Sequence, residues 1–292
     1  MTNIAVVANT EKIAKKDARR LRSALASAGI GDVHWVDIDK GSDAKAAAKK
    51  ALKRGATTIV VCGGDGSVRA ASEAIVGTQT ALAVVPSGTA NLFASGLGLP
   101  SDIDEIVDLV IRGDRRSLDT ASCNGQTFNV MAGSGFDVDM LNDAEDNKEH
   151  MGTFAYVGAA VRETRHRKMF DTKIEIDGKP FYDGPASCVL IGNSGSLKGG
   201  VKAFPDATAT DGRLHVAAVT AVGKREWANL MISAVFRRQQ WSSHSEIGEG
   251  AAVTVTFDKK RRFELDGGVK GKSKTLEFEI QPHSLMVCAP VG

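Results

Sequence analysis

The stretch from Thr57 to Ala71 reads TTIVVCGGDGSVRAA. Through Cys62 it is apolar or β-branched without a break, as in a strand covered on both faces. Gly63, Gly64, Asp65 and Gly66 then turn the chain, and a helical pattern runs from Val68 to Val76. A buried strand that turns through glycines into a helix is the repeating unit of a parallel α/β sheet. The flanking sequence repeats it. Ile4–Ala8 is a short apolar run, and Ile13, Ala14, Ala18, Leu21, Leu25 and Ala28 recur at helical spacing before Gly29. Val33–Ile38 and Ala81–Val85 read as strands. Ala44–Leu52 and Asp104–Arg112 read as helices, the second closed by Gly113. Residues 1–118 are therefore expected to form a doubly wound α/β domain.

After about Asp119 strand patterns dominate: Gln126–Met131, Thr172–Ile176, Ser187–Ile191, Arg213–Val219, Ala252–Phe257, Arg262–Leu265 and Thr275–Ile280. Asp177-Gly178 has the chemistry of a hairpin turn. Two helical stretches interrupt, around Thr153–Arg165 and Lys224–Arg237. Residues 119–282 are expected to form a second domain, a mainly antiparallel β-sandwich. The apolar run Leu285–Pro290 allows residues 283–292 to return to the first domain. The expected class is α/β plus all-β.

Composition narrows the function. The chain has 292 residues, 42% of them hydrophobic, which supports a sizeable core and excludes wholesale disorder. A net charge of +2 gives no bulk attraction for nucleic acid, and none is expected as a partner. Cys62, Cys123, Cys188 and Cys288 lie far apart and read as buried thiols of a reducing compartment. The histidines show no zinc-ligand spacing. No apolar run approaches the ~18 residues of a membrane span. The opening MTNIAVVANTEK turns polar too soon for a signal peptide and reads as a first strand. A soluble, cytoplasmic protein is expected.

Two loops carry chemistry. Glycines 63, 64 and 66 at a strand-to-helix turn let backbone amides approach an anion, and the helix start adds its dipole. Asp65 would repel phosphate unless it holds a bridging cation such as Mg2+. The plainer alternative is a tight turn with Asp65 as a helix cap. The turn is neither GxxxxGK[ST] nor GxGxxG. The second loop, Pro86-Ser87-Gly88-Thr89-Ala90-Asn91, also follows a strand. In an open α/β sheet such loops line one crevice. Thr89 and Asn91 offer hydroxyl and amide contacts to a phosphate or base, or simply begin a helix.

Val61–Ala71 and Pro86–Pro100 together resemble the diacylglycerol kinase catalytic-domain family, which includes bacterial lipid kinases and sphingosine kinases. The resemblance continues through Met131–Asp137 (MAGSGFD), Gly192–Gly200 (GNSGSLKGG), Pro205–Leu214 (PDATATDGRL) and Leu265–Gly268 (LDGG), nearly the whole chain. It implies an ATP-dependent kinase that phosphorylates a lipid alcohol such as diacylglycerol. It implies ATP contacts at Asn9, Thr10, Gly63, Gly64, Asp65, Gly66, Ser67, Val68, Arg69, Gly88, Thr89 and Asn91. It implies a structural Mg2+ at Thr208, Asp211 and Arg213. Asp266 corresponds to a catalytic carboxylate that accepts the lipid hydroxyl proton, with Asp65 positioning Mg2+. Asp119 also corresponds to a family aspartate.

The chain departs from the family's pattern at Glu11-Lys12, Asp37, Leu92 and Gly268; the last stands where a second acid is usual. Two alternatives follow: a nucleotide- or lipid-binding protein without catalysis, and an NAD kinase, since the GGDG element is shared with that family. Basic clusters at Lys15–Arg22, Arg112–Arg116, Arg162–Lys168, Arg237–Arg238 and Lys259–Arg262 read as solvated faces, or as attraction for anionic lipid. Peripheral membrane contact is the expectation, and a homodimer is compatible with the sequence.

Overall fold

The computed structural model describes residues 3–135, 169–195, 203–223, 225–226 and 244–290. The helices expected at Thr153–Arg165 and around Lys224–Arg237 therefore fall outside, or almost wholly outside, the described residues, as do the basic clusters Arg162–Lys168 and Arg237–Arg238. The chain forms two compact units, Met1–Thr120 with Gln281–Gly292, and Ala121–Ile280.

The first unit runs β1 (Ile4–Asn9), α1 (Lys15–Ser27), β2 (His34–Ile38), α2 (Ala44–Lys53), β3 (Thr58–Gly63), α3 (Asp65–Ile75), β4 (Ala81–Pro86), α4 (Leu92–Gly96), α5 (Ile103–Arg112) and the start of β5 (Arg115–Cys123). Its sheet is parallel, in the order β4-β3-β1-β2. Met286 and Val287, near the chain's end, pair with Ala81 and Leu82 and add a further parallel strand beside β4.

Side-chain alternation explains the layers. Ile4, Val6, Ala8, Val60, Cys62, Ala83 and Val85 pack with Leu21 and Leu25 of α1 and with Ile103, Ile106, Val107 and Val110 of α5. The residues between them, Ala5, Val7, Ile59, Val61, Leu82 and Val84, are equally buried. Both faces are covered, so these strands need no polar alternation. The buried residues of α2 are all alanines, which lets that helix pack closely. At α5 the Asp102 carboxylate accepts the amides of Asp104 and Glu105, and Gly113 ends the helix at φ +75°.

The second unit contains the end of β5 and then β6 (Gln126–Phe128), β7 (Met131–Ser134), β8 (Phe170–Ile176), β9 (Lys179–Ala186), β10 (Cys188–Gly192), β11 (Leu214–Val219), β12 (Ser245–Gly250), β13 (Ala252–Leu265) and most of β14 (Gly268–Cys288). The described strands pair antiparallel in the order β12-β11-β10-β7-β13-β14, with β8 on β13 and β9 on β8. The core is aromatic: Phe128 meets Phe278 edge-on at 6.2 Å and Phe170 meets Phe257 at 5.5 Å. Asp177 and Gly178, at φ +50° and +73°, make the expected hairpin turn between β8 and β9.

Several segments differ from the expected pattern for local reasons. The single strand expected over Gln126–Met131 is broken at Asn129 and Val130, whose amides donate to a side chain instead of a sheet neighbour. Helix α3 begins at Asp65, three residues before its apolar periodicity, because glycine and acid positions carry no hydrophobic signal. Arg262–Leu265 and Thr275–Ile280 belong to one long hairpin, β13–β14. Its middle is charged, so the apolar alternation fades there.

All four cysteines are buried and none is in a disulfide. Burial pushes the Cys62 and Cys123 thiols up to about 12 and Cys288 up to about 11. The reactive species is the thiolate, which such values suppress. A disulfide reagent at pH 8 should therefore label less than one thiol per native chain within minutes, and all four in guanidinium. Rapid native labelling of two or more would contradict this packing.

Candidate active site

In the first unit the loops after β1, β2, β3 and β4 meet at the carboxyl edge of the sheet. The two glycine loops touch through their backbones. A Cβ on Gly88 would lie 2.5 Å from the Gly64 Cα, and one on Gly64 would lie 3.0 Å from the Gly88 Cα. Only glycine permits this approach. Asp65, at the first helical position, does not cap its own helix. Its Oδ1 accepts the amide of Phe93 at 3.0 Å, tying the start of α3 to the start of α4. Asp65 Oδ2 makes no hydrogen bond among the described residues. The amides of Asp65 and Gly66 lie in the first turn and have no intrahelical acceptor. Amides so placed at a helix start suit an anion.

The same geometry narrows the set of sequence-derived contacts. Ser67 and Val68 donate their amides to the Gly64 carbonyl at 2.9 and 3.1 Å, and both side chains are buried. Arg69 is also buried and lies 3.6 Å from Glu73, which in turn pairs with Lys45. These three residues build the helix and do not face the turn's open side. Asn9 is buried: its Nδ2 donates to Ser67 Oγ at 3.3 Å and its Oδ1 accepts the Glu11 amide. Thr10 donates its hydroxyl to Asp39 Oδ1 at 2.8 Å. Asn91 sits at φ +48° and closes a ring with Gly88, accepting its amide at 2.9 Å and donating to its carbonyl at 2.8 Å. Asn91 thus locks the loop, leaving Thr89 exposed. On the α1 and α5 side of this edge, Lys12, Pro86, Ser87, Ser101 and Asp102 line a cavity of about 210 Å³.

In the second unit Asp266 is buried at the tip of the β13–β14 hairpin, with φ +46°. Its carboxylate accepts three consecutive amides: Asn129 at 2.8 Å, Val130 at 2.8 Å and Met131 at 3.1 Å. Its own amide returns to the Met131 carbonyl at 2.8 Å. Asn193 completes this corner, donating its amide to Val130 and its Nδ2 to the Asn129 carbonyl. This backbone cradle was invisible in the sequence, because main-chain donors leave no residue-type signal. Asp119, in the first unit, similarly anchors the His283 amide at 2.7 Å.

The proposed structural Mg2+ residues form a different arrangement. Asp211 Oδ2 accepts the Thr208 amide at 2.8 Å and faces His215 Nε2 at 3.1 Å, while Oδ1 accepts the Arg213 amide at 3.0 Å. The Arg213 guanidinium pairs with Glu249. Asp211 thus accepts two backbone amides and lies against an imidazole nitrogen, which closes the turn. No cluster of three or more His, Cys, Asp or Glu residues suited to a metal occurs among the described residues. The ion implied by the resemblance would draw on the Asp211 side chain together with the Thr208 and Arg213 carbonyls. Asp65 Oδ2, which makes no hydrogen bond among the described residues, suits a hard cation.

Comparison with known proteins agrees with this architecture. The diacylglycerol kinase catalytic domain matches residues 3–123, and the YegS C-terminal NAD kinase beta sandwich-like domain matches residues 130–289. A diacylglycerol kinase of Bacillus subtilis is 29% identical over 78% of this chain and 77% of its own length. An uncharacterised protein of Synechocystis sp. is 29% identical over 81% of this chain, which spans 56% of that longer protein. A diacylglycerol kinase structure from Bacillus anthracis str. Sterne superposes with a TM-score of 0.77 at 20% identity, covering 99% of this chain and 97% of that one. That likeness establishes the α/β plus β-sandwich fold. An NAD kinase from Archaeoglobus fulgidus is more distant, with a TM-score of 0.54 at 14% identity over 98% of this chain and 93% of that one. With both domains recognised in order along the chain, it belongs to the diacylglycerol kinase catalytic-domain family of lipid kinases.

Proposed function

We propose that the chain transfers the γ-phosphate of ATP to the hydroxyl of a lipid alcohol such as diacylglycerol. The observation that carries this reading is the backbone contact between Gly64 and Gly88, which sets the unpartnered amides of Asp65 and Gly66 beside the exposed Thr89. Those amides would hold phosphate oxygens, with Gly63 and Gly64 leaving room for close approach. Mg2+, held through Asp65 Oδ2, would supply charge neutralisation on the phosphates. In the transfer the alcohol oxygen bonds to the γ-phosphorus, the bond to the bridging oxygen breaks and ADP departs. The hydroxyl proton goes to a carboxylate, and Asp266 is the residue assigned that task. Its three amide contacts fix the carboxylate's direction and take up most of its roughly four acceptor sites.

The saturation of Asp266, together with glycine at position 268, favours one rival, a protein that binds nucleotide or lipid without turnover. Incubating purified protein with γ-labelled ATP, Mg2+ and total membrane lipid separates the readings. The expected result is label in one lipid class, identified by mass spectrometry. ATP binding without labelled lipid would establish the rival, and label in NADP from added NAD would establish an NAD kinase instead. Among the described residues no helix is long and apolar enough to cross a membrane.

A further inference from the structure

We infer that the β13–β14 ribbon between Asp258 and Lys274 is a docking surface for an anionic lipid bilayer. Beyond Phe257, which pairs with Thr172, β13 loses β8 as a neighbour. It regains another only at Glu264, opposite Gly133 of β7. Between those points the hairpin is two-stranded among the described residues. Pairing passes from Thr256–Thr275 to Arg261–Ser273, so residues 257–260 stand against the single residue 274. A bulge of this kind re-aims side chains, and here Asp258, Lys259 and Lys260 are all exposed.

Pairing then brings a second set of lysines beside the first. Lys270, Lys272 and Lys274 alternate with Gly271 and Ser273, so they do not read as a charge run in the sequence. Arg262 lies directly opposite Lys272, and both are exposed. Like charges paired across strands are unfavourable in isolation, and an external anion relieves that cost. Lys259, Lys260, Arg262, Lys272 and Lys274 are exposed and make no ion pair among the described residues. The one exposed acid nearby, Asp258, offsets them only through Lys259. Asp258 is paired with Arg261, whose guanidinium also lies 4.0 Å over the Phe170 ring, and Glu264 and Asp266 are buried. Five exposed cations without an ion pair among the described residues, on so short a ribbon, contrast with a chain whose net charge is only +2.

A bilayer is favoured over nucleic acid by what stands beside the charges. Val269 is 54% exposed, the highest value for a large aliphatic side chain among the described residues, and it lies on the same ribbon. A ribbon that carries both cations and an exposed aliphatic side chain suits a lipid interface, where charge meets headgroups and the apolar side chain meets the acyl boundary. No aromatic side chain is exposed on the ribbon to stack against a base. The inference rests on the proposed function only in that a lipid-phosphorylating enzyme must reach a membrane surface; the ribbon's charge stands independently.

The test is co-sedimentation with vesicles of phosphatidylcholine containing phosphatidylglycerol, against vesicles of phosphatidylcholine alone. The parent protein is compared with a ribbon variant, Lys259→Gln, Lys260→Gln, Lys272→Gln and Lys274→Gln. A control variant carries Lys49→Gln and Lys53→Gln on α2. Each basic residue near an anionic surface is worth about fivefold in binding, so the ribbon variant, with four charges removed, should lose roughly 600-fold. The control should keep the parent's affinity, and high salt should abolish binding through screening. Phosphate transfer to diacylglycerol in detergent micelles should survive in the ribbon variant. That assay separates the two ideas: inactive protein that still binds anionic vesicles overturns the kinase reading alone. Equal binding by parent and ribbon variant, equal binding to neutral vesicles, or binding to a single-stranded RNA probe but not to vesicles overturns the docking surface.

Discussion

Asp266→Asn lowers the melting temperature of the C-terminal unit by about 10 °C and cuts phosphate transfer at least a hundredfold. The first effect follows from counting acceptors. The carboxylate receives three backbone amides, two on Oδ1 and one on Oδ2. In asparagine one oxygen becomes an NH2 donor, so at least one buried amide faces another donor and the other contacts lose their ionic character. Bonds to a charged acceptor contribute about 1.5–3 kcal/mol, and a buried unsatisfied donor costs about 1–3 kcal/mol. A net loss near 3 kcal/mol corresponds to several degrees for a unit of this size. Backbone strain is not the cause, because asparagine tolerates the φ of +46° at this turn at least as well as aspartate. The second effect is the ordinary cost of removing a general base, on the order of 10²–10⁴. Scanning calorimetry beside the labelled-ATP assay distinguishes the roles. Lost turnover with unchanged melting would leave Asp266 a base and remove it as an anchor. Unchanged turnover would end its catalytic assignment.

Gly88→Ala separates the two loops on which the proposed nucleotide binding depends. The added methyl meets the Gly64 Cα at 2.5 Å, the Asn91 Oδ1 at 2.9 Å and the Gly64 nitrogen at 3.3 Å. Two of these atoms are backbone, so relief requires a shift of a whole loop rather than a rotamer change. Overpacking of this kind costs about 1–3 kcal/mol. A displacement near 1 Å at the phosphate site is expected to weaken productive ATP binding about a hundredfold. Gly66→Ala is the internal control for stability, because a Cβ there meets nothing within 4 Å, and its melting temperature should match the parent's. Isothermal titration with ATP and thermal melts of both variants test the pair. Normal ATP affinity in Gly88→Ala would show that the loop contact is incidental.

The fold was legible where burial dictates composition. The run from Thr57 to Cys62 reads as a two-face-covered strand because both faces are in fact covered, and the glycines after it mark the helix start. The β-rich texture beyond Asp119 likewise follows from side chains that alternate between core and solvent. Legibility failed where the backbone or cross-strand pairing makes the structure. Nothing in the residue types of Asn129, Val130 and Met131 announces that their amides converge on a carboxylate 135 or more positions away. The lysines after Gly268 look scattered until the hairpin register sets them against Arg262 and the 257–260 bulge. At the candidate site the sequence singled out two loops but could not divide their residues. Asp65, Gly66 and Thr89 remain available, whereas Asn9, Ser67, Arg69 and Asn91 are occupied in holding the loops together.

Strands β5 and β14 each begin in one unit and end in the other. A gene fragment stopping after residue 120 would leave β4 with bare amides and carbonyls along the flank that Met286 and Val287 cover, an invitation to aggregation. The two lobes are consequently poor candidates for independent shuffling. Recombination that exchanges one for a relative's must bring the matching C-terminal tail with it, so inheritance of the pair as a single block is built into the order of the strands.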